Sequence, residues 1–457
     1  MYSFLPLGQR VLDEVEKIID RNLETIGAQK MQMPIVQNLN RWMKSGRRDQ
    51  IGKELYTLKD RKGQELCLSP TNEEVITELV KDLVATPSNY PLMLYQTSPK
   101  FRDEMRLKAG VLRSKEFLMM DLYSFDTNLK KANETFDQVD TCFSNIFREL
   151  EIPVEALEAD NGIMGGSRSK EYQCCCGVGE DRVTRCSKCG YKSLYTSSTS
   201  IPTVIDYFFS ETFNQLLFQQ SLELGHSFVL GDRYSTLFNL QNRGSPLQMG
   251  CYGLGVSRIV GSLFELFGHS SGILFPDPIT TFDVVVLNTG TPIDRVFESE
   301  KTEAARAKTA ELLDALGDAL RICFDDRDEL SAGNRLMDAE LMGARVAVIA
   351  GKEFAMGGNL EVRLLHRNVI RDVWRNEEMG KRGGNVETKK KEEISDVLRE
   401  KILGFDRSRL EELGFDLVKE GGDMKSDGYT ISSGFGELYW NLVQTLSCVK
   451  SYQNSIY

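Results

Sequence analysis

Nothing in the 457 residues approaches the ~18 consecutive apolar positions of a membrane span, which excludes an integral membrane protein built on helices. Positive charge is short too. Lys and Arg total 56 against 67 Asp and Glu, a formal net charge of −11. That excludes a generic basic nucleic-acid coat, while a local phosphate-binding surface needs only clustered Lys and Arg. Histidine is scarce, with residues 226, 269 and 366 alone. The ten cysteines form no secreted-domain framework, so reduced thiols in an intracellular compartment are expected. The opening Met1–Arg10 lacks the basic and apolar regions of a secretory signal and the Arg/Ser-rich composition of a transit peptide. There are no internal repeats.

What remains is ordinary globular material, 41% hydrophobic and 27% charged, at a length that sets a prior of about three domains. Val11, Leu12, Val15, Ile18, Ile19, Leu23 and Ile26 recur at helical spacing, and Gly27 follows as a stop. Met31–Val36 alternates like a strand, and Pro34, which cannot donate to a ladder, assigns it to an edge or an interface. Leu66–Ser69 reads as a strand, and Thr71-Asn-Glu-Glu74 as a capping box opening a helix. Leu92 to Phe125 reads as two long strands around a polar, basic turn, and helical periodicity returns over about 129–150. Residues 160–200 are rich in Gly, Ser and Cys and read as irregular, before a helix near 206–222 and strands near 226–240. Gly250–Arg258 opens an apolar helix. Beyond a Pro-containing linker at Gly268–Thr281, strands at Phe282–Leu287, Arg321–Phe324 and Val346–Ala350 alternate with helices near 300–319 and 335–342. That pattern predicts a small α/β domain with a largely parallel sheet. Residues 376–401, dense in Glu, Lys and Arg, read as a solvated linker or exposed helix.

Four constellations carry chemistry. Phe101-Arg-Asp-Glu104 and Arg113-Ser-Lys-Glu-Phe117 flank the basic turn. On a hairpin Arg102 and Glu104 would share a face, a guanidinium can clamp a phosphate or carboxylate, and Phe117 can stack a base. Gly250-x-x-Gly253-x-Gly255-x-x-Arg258 lacks the last glycine of a dinucleotide fingerprint and the G-K-[ST] of a Walker loop. As a glycine-rich turn at a helix N-terminus with an Arg in its first turn, it suits a triphosphate. In Thr71-Asn-Glu73-Glu74, one carboxylate could face a ligand ammonium group. Cys186-x-x-Cys189 follows Cys174–Cys176, but a closed zinc site usually needs two spaced pairs. No metal is expected there, and Cys186 and Cys189 are the only candidate ligands.

Taken together, these stretches resemble the motif set of class II aminoacyl-tRNA synthetases. Ile18–Pro34 resembles motif 1, FRDE…RSKEF motif 2, and GCYGLGVSR motif 3. Leu68–Glu74, Lys115–Phe125, Gly165-Gly-Ser167 and Gly225–Gly231 select the prolyl branch, bacterial and mitochondrial in kind, through about residues 4–375. Gly177–Val183 with its Cys-x-x-Cys is nearest the mitochondrial form. The resemblance implies an α+β class II catalytic domain, an antiparallel sheet flanked by helices, over 1–275, with an irregular 160–222 segment inside it. An α/β anticodon-binding domain over 280–375 and a C-terminal extension over 376–457 would follow.

The resemblance also implies a reaction. Proline and ATP give prolyl-adenylate and pyrophosphate, and the prolyl group then moves to tRNA(Pro). Arg102 and Arg258 would be catalytic. Arg102 would hold the α-phosphate and the proline carboxylate, and Arg258 the γ-phosphate. Glu104 would meet the adenine amino group, Phe117 would stack the ring, and Arg113 would complete the ATP site. Thr71 and Glu73 would bind the proline amino group, with Glu223 and His226 lining that pocket. Mg2+ would share the charge. A homodimer through the helix and strand of residues 11–34 is implied, as is a mitochondrial matrix location, otherwise cytoplasmic, with targeting residues preceding Met1 in the native gene product. The stretch from Phe125 to Gly250 is too short for a separate editing domain. Where the family carries S-H-E-F, this chain has Ser169-Lys170-Glu171-Tyr172, and Met105-Arg106-Leu107 replaces the usual proline–arginine of the motif 2 loop. A threonyl-type enzyme would need a Cys–His–His zinc site that this chain does not match. The alternative function is a non-catalytic synthetase paralogue acting as a binding or regulatory module, although such paralogues often lose the motif arginines.

Overall fold

The computed structural model describes residues 1–83, 90–187, 190–195, 216–269, 272–288, 321–327, 329–350, 360–365 and 429–431. The chain divides into two compact units, Met1–Leu266 and Phe267–Tyr457. The helix expected near 300–319, the charged stretch 376–401 and Cys189 lie outside the described residues.

The first unit opens with helix α1 (Pro6–Thr25), whose buried face is the predicted stripe Val11, Leu12, Val15, Ile18, Ile19 and Leu23. Gly27 ends it at φ 80°, where the Gly27 and Ala28 amides return to the Glu24 and Leu23 carbonyls. Strands β1 (Gln29–Lys30) and β2 (Val36–Asn38) follow, then helices α2 (Leu39–Ser45) and α3 (Arg47–Ile51), which meet at Gly46 with φ 74°. The predicted strand at Met31–Val36 is therefore replaced by two short strands on either side, with Pro34 in neither. β2 joins β3 (Thr57–Lys59) and β4 (Glu65–Leu68) in a small sheet of order β2-β4-β3, and helix α4 (Glu73–Leu83) follows.

The two long strands of the basic hairpin are β5 (Leu92–Phe101) and β6 (Glu116–Asp126), with Leu92 opposite Phe125 and Phe101 opposite Glu116. After helix α5 (Leu129–Glu149) come β7 (Val154–Glu158), β8 (Arg168–Cys175), β9 (Asp181–Cys186), β10 (Lys192–Leu194) and the long β11 (Leu216–Gly231). Two expectations are overturned here. The described part of residues 160–200 is not irregular but supplies three strands. Residues 216–222 of the expected helix are strand, because their backbone pairs along all of β9, from Leu216 opposite Cys186 to Ser221 opposite Asp181. Local composition misled in both places, because the ladder bonds to β11 are long-range and strand preference depends on context more than helix preference does.

Helix α6 (Arg233–Phe238), strand β12 (Gln248–Leu254) and helix α7 (Val256–Phe267) complete the unit. Its main sheet runs β1-β5-β6-β12-β11-β8-β7, with β9 and β10 continuing from β11. Apart from the parallel pair β1–β5, its pairings are antiparallel. Met33, Ile76, Val80, Tyr123, Phe228, Tyr234 and Met249 form a core between α4, α6 and one sheet face.

In the second unit, β13 (Val284–Asn288) pairs in parallel with β14 (Ile322–Asp325) and β15 (Val346–Ala350), and helix α8 (Ala332–Leu341) lies between β14 and β15 in the chain. Strands β16 (Leu360–Leu364) and β17 (Tyr429–Ile431) extend the sheet antiparallel. The expected parallel core is present. The strand from the far C-terminal stretch was not foreseen.

Candidate active site

Sheet pleat assembles the site. Side chains directly opposite each other in an antiparallel pair share a face, as do residues two apart along a strand. By these registers Phe117 and Tyr123 on β6, Cys251 and Gly253 on β12, His226 and Phe228 on β11, and Ser169 and Glu171 on β8 all stand on one face. Of the glycines of the second constellation, Gly250 and Gly253 lie in strand β12, and Gly255 alone stands in the turn before α7. Gly253 sits opposite both Asp121 and His226, and a Cβ built on it meets nothing closer than 3.7 Å. It leaves open floor in the middle of the face.

Glu223 and His226 are three residues apart and would normally face opposite sides. A bulge resolves this. Glu223 pairs with Gln173 and Gly225 with Tyr172, so Leu224 is the extra residue and both side chains turn the same way. The His226 ring then lies with Nδ1 3.2 Å from Glu223 Oε1 and Nε2 2.6 Å from Ser169 Oγ, stacked on Phe228 at 3.9 Å. Gly225 is required where it stands, because a Cβ there would come within 2.5 Å of Leu254 and 2.8 Å of the Gly253 carbonyl.

One half of the site is an open cleft of about 220 Å³ lined by Arg102, Glu104, Arg113, Glu223 and Arg258. Arg102 and Glu104 lie just beyond the end of β5, so strand alternation does not govern them as the sequence suggested. Arg102 donates to the Pro70 carbonyl at 3.3 Å and lies over Phe117, 5.3 Å from the ring centre. Among the described residues no carboxylate forms an ion pair with it. Burial lowers its pKa, as does the neighbouring Arg258, against the pull of Glu223, Glu104 and Glu73. Arg258, in the first turn of α7, donates from Nε to the Leu112 carbonyl (2.9 Å) and from Nη1 to the Glu223 carbonyl (2.6 Å), with Glu223 Oε2 at 3.4 Å. Burial opposes ionisation of Glu223, yet the His226 hydrogen bond and the Arg258 charge hold it down to about 2. Arg113 grips Glu104 Oε2 with Nη2 at 2.8 Å and also pairs with Glu180.

The other half is buried. Glu73 has no exposed surface, and Thr71 is 7% exposed. The capping-box reading fails here. The Thr71 hydroxyl donates to both Glu73 oxygens at 2.8 Å, while the Glu74 carboxylate turns to Ser45 Oγ (2.7 Å) and Arg47 instead of reaching back. Tyr123 Oη takes the Asn72 amide at 2.9 Å, and Cys251 Sγ donates to Glu73 Oε1 at 3.1 Å. Burial would raise the Glu73 pKa, but Arg47, Cys251 and Thr71 hold it below the usual carboxylate range.

Sequence reasoning did not single out Arg47, Tyr123, Cys251 or Ser169 as parts of this site. The one local hint was the adjacent pair Glu73–Glu74, which requires a cation once buried. The substitution at Lys170 proves peripheral. Strand alternation turns it away from Ser169 and Glu171, onto Asp140 of α5 at 2.7 Å. Cys186 is buried at the end of β9, where its carbonyl takes the Gly190 amide.

Comparison with known proteins agrees with this geometry. Residues 56–267 match the tRNA synthetase class II core domain (G, H, P, S and T), and residues 283–382 match an anticodon binding domain. The chain is 34% identical over 366 residues to the probable mitochondrial proline–tRNA ligase of Homo sapiens, covering 77% of this chain and 74% of that one. It is 35% identical over 382 residues to the proline–tRNA ligase of Anaplasma phagocytophilum, covering 79% and 86%. A Giardia lamblia prolyl-tRNA synthetase solved with prolyl-adenylate shares the fold at TM-score 0.61 and 18% identity, over 79% of this chain and 67% of that one. A class II core, an anticodon-binding unit and one-third identity across most of both chains lead to one conclusion: this chain belongs to the proline–tRNA ligases of class II.

Proposed function

We propose that the chain couples proline to tRNA(Pro) in two steps, using the open cleft for ATP and the buried half for proline. The observation that carries this reading is Arg102, an arginine with no ion-paired carboxylate among the described residues, which lines the polar cleft and feels the charge of the buried Glu73. A proline carboxylate oxygen attacks the α-phosphorus, and the bond to the β-phosphate oxygen breaks to release pyrophosphate. A terminal ribose hydroxyl of the tRNA then attacks the prolyl carbonyl, and AMP leaves. Arg102 neutralises the α-phosphate and the incoming carboxylate, and Arg258 the γ-phosphate. Both are fixed before reaction, which is where electrostatic catalysis gains most. Phe117 stacks the adenine, Glu104 accepts from its amino group, and Arg113 holds Glu104 for that task. Thr71 and Glu73 receive the proline ammonium, with Glu223 and His226 lining the pocket.

Mg2+ fits the residues present. Glu171, Glu223 and His226 bring ligand atoms within 4.8 Å of one another, and the buried Gln173 Oε1 beside Glu171 has no hydrogen-bond partner. Oxygen donors suit this hard cation, so Glu171 and Glu223 would hold it, and when bound it neutralises phosphate charge. The second unit would take the tRNA anticodon. The catalytic unit would form a homodimer through α1 and β1. Mitochondrial relatives favour a matrix location, although bacterial ones match as well. Proline-dependent ATP–pyrophosphate exchange, with the other amino acids as controls, tests the reading. Robust exchange is expected, and its absence in folded protein would favour a non-catalytic paralogue.

A further inference from the structure

Arg47 opens α3 at the back of the buried half, and it is 1% exposed. Its Nη1 lies 2.8 Å from Glu73 Oε2 and 3.3 Å from each Glu74 oxygen, and its Nη2 lies 3.2 Å from Met164 Sδ. The guanidinium packs 4.9 Å from the Trp42 ring centre and 5.8 Å from that of Tyr234. One cation is thus shared by two buried carboxylates that differ in their other partners. Glu74 accepts from Ser45 and faces the core. Glu73 accepts from Thr71 and from Cys251, which stands on the site face of the sheet. Burying such a triad is expensive, and a packed apolar cluster would serve stability as well. What the triad supplies is a carboxylate that stays charged and aimed without water. Arg47 lowers the Glu73 pKa, whereas burial and the Glu73 charge raise that of Glu74.

We infer that Arg47 is the positioning residue for proline recognition: it anchors Glu73 from the core side, so that the one acceptor site left by Arg47, Thr71 and Cys251 meets the substrate's secondary ammonium. The inference rests on the reading of Glu73 as the ammonium partner. Arg47 touches no substrate atom. Its signature is therefore a selective loss of proline affinity, carried wholly through Glu73.

The test is pyrophosphate exchange on the full chain with Arg47→Met, Arg47→Lys, Glu73→Gln and the double variant Arg47→Met/Glu73→Gln. Arg47→Met is expected to raise the proline KM at least tenfold and leave the ATP KM within about twofold, with Arg47→Lys in between. In the Glu73→Gln background, removing Arg47 should change the proline KM by less than twofold, because the two act as one unit. If Arg47→Met does not fold, Arg47→Lys decides. A proline KM at least threefold above wild type with an unmoved ATP KM supports the inference, and an unmoved proline KM or equal shifts for both substrates overturn it. A wild-type proline KM in Arg47→Met beside a raised one in Glu73→Gln overturns the role of Arg47 alone. A wild-type KM in Glu73→Gln, or no proline exchange by the wild-type chain, overturns the functional reading and this inference with it.

Discussion

Arg102→Ala separates catalysis from folding more sharply than any other single change in this site. The side chain contributes one long hydrogen bond to the Pro70 carbonyl and a contact with the Phe117 ring. Those are worth about 1–2 kcal/mol together. Burial lowers the Arg102 pKa, so removing the cation relieves a desolvation cost and its repulsion from Arg258, against the lost attraction of Glu223, Glu104 and Glu73. The backbone is untouched, since the Arg102 amide bonds the Lys115 carbonyl and the Phe101 amide bonds that of Ser69. Net destabilisation should therefore stay within about 1 kcal/mol, a fall in Tm of only a few degrees for a unit of this size. The reaction loses far more. A fixed charge facing the developing phosphate charge is worth about 3 kcal/mol, or about a hundredfold in kcat/KM. The assay is proline-dependent pyrophosphate exchange beside thermal unfolding monitored by circular dichroism. A folded variant exchanging within about fivefold of wild type would refute the argument, and so would a large loss of Tm, which would make the guanidinium a structural element.

Glu223→Gln should cost stability in a pH-dependent way. A carboxylate held at about 2 against an unfolded value near 4.3 stabilises the folded state above about pH 4.3, and that contribution fades as pH falls through 2. The full shift corresponds to about 3 kcal/mol, and about half of that is expected for a side chain a third exposed. Calorimetry showing the same Tm difference at pH 7 and pH 2 would contradict this. Lys170→Ala should leave the KM for both proline and ATP unchanged and cost under about 1 kcal/mol, since the side chain pairs with Asp140 away from the cleft; a changed KM would place it in the site. Alanine should be activated detectably, because lost packing against a smaller side chain discriminates by only about 1–3 kcal/mol, and pre-charged alanyl-tRNA(Pro) should persist with the purified chain. Hydrolysis above the spontaneous rate would reveal editing. Light scattering at micromolar concentration should report a dimer, and a monomer alone would remove the interface assigned to α1 and β1.

Legibility followed the range of the interaction. The α1 stripe and its Gly27 stop are local, and so is the β5–β6 hairpin, whose two halves lie close in sequence; all three were read correctly. Strands β8, β9 and the first half of β11 were missed because the ladders that hold β8 and β9 to β11 join residues 30 to 61 positions apart, from Leu216 with Cys186 to Val229 with Arg168, while β10 is only three residues long. In the site, Arg102 and Arg258 were legible because residue type at motif spacing marks them. Glu73 and Thr71 were legible as well, but the other partners of Glu73 were not. Arg47 and Cys251 converge on it from α3 and β12, and only burial makes their meeting necessary. The capping-box error has the same origin: a local pattern competed with a tertiary cation, and the cation won.

The bulge in β11 bears on how coding changes in the corresponding gene should be ranked. The extra residue, Leu224, is buried, so a conservative replacement there alters packing by a methyl group or so. An in-frame loss of its codon is a different event. It restores strict alternation and keeps Glu223, then two residues before His226, on the same face, but it removes the Leu224 carbonyl that takes the Gly255 amide just before α7, the helix that carries Arg258. Every motif would survive in the translated sequence while that anchor was gone. A scoring scheme that weighs substitutions by residue similarity, and treats a single-residue gap as a mild indel, would rank these two changes in the wrong order.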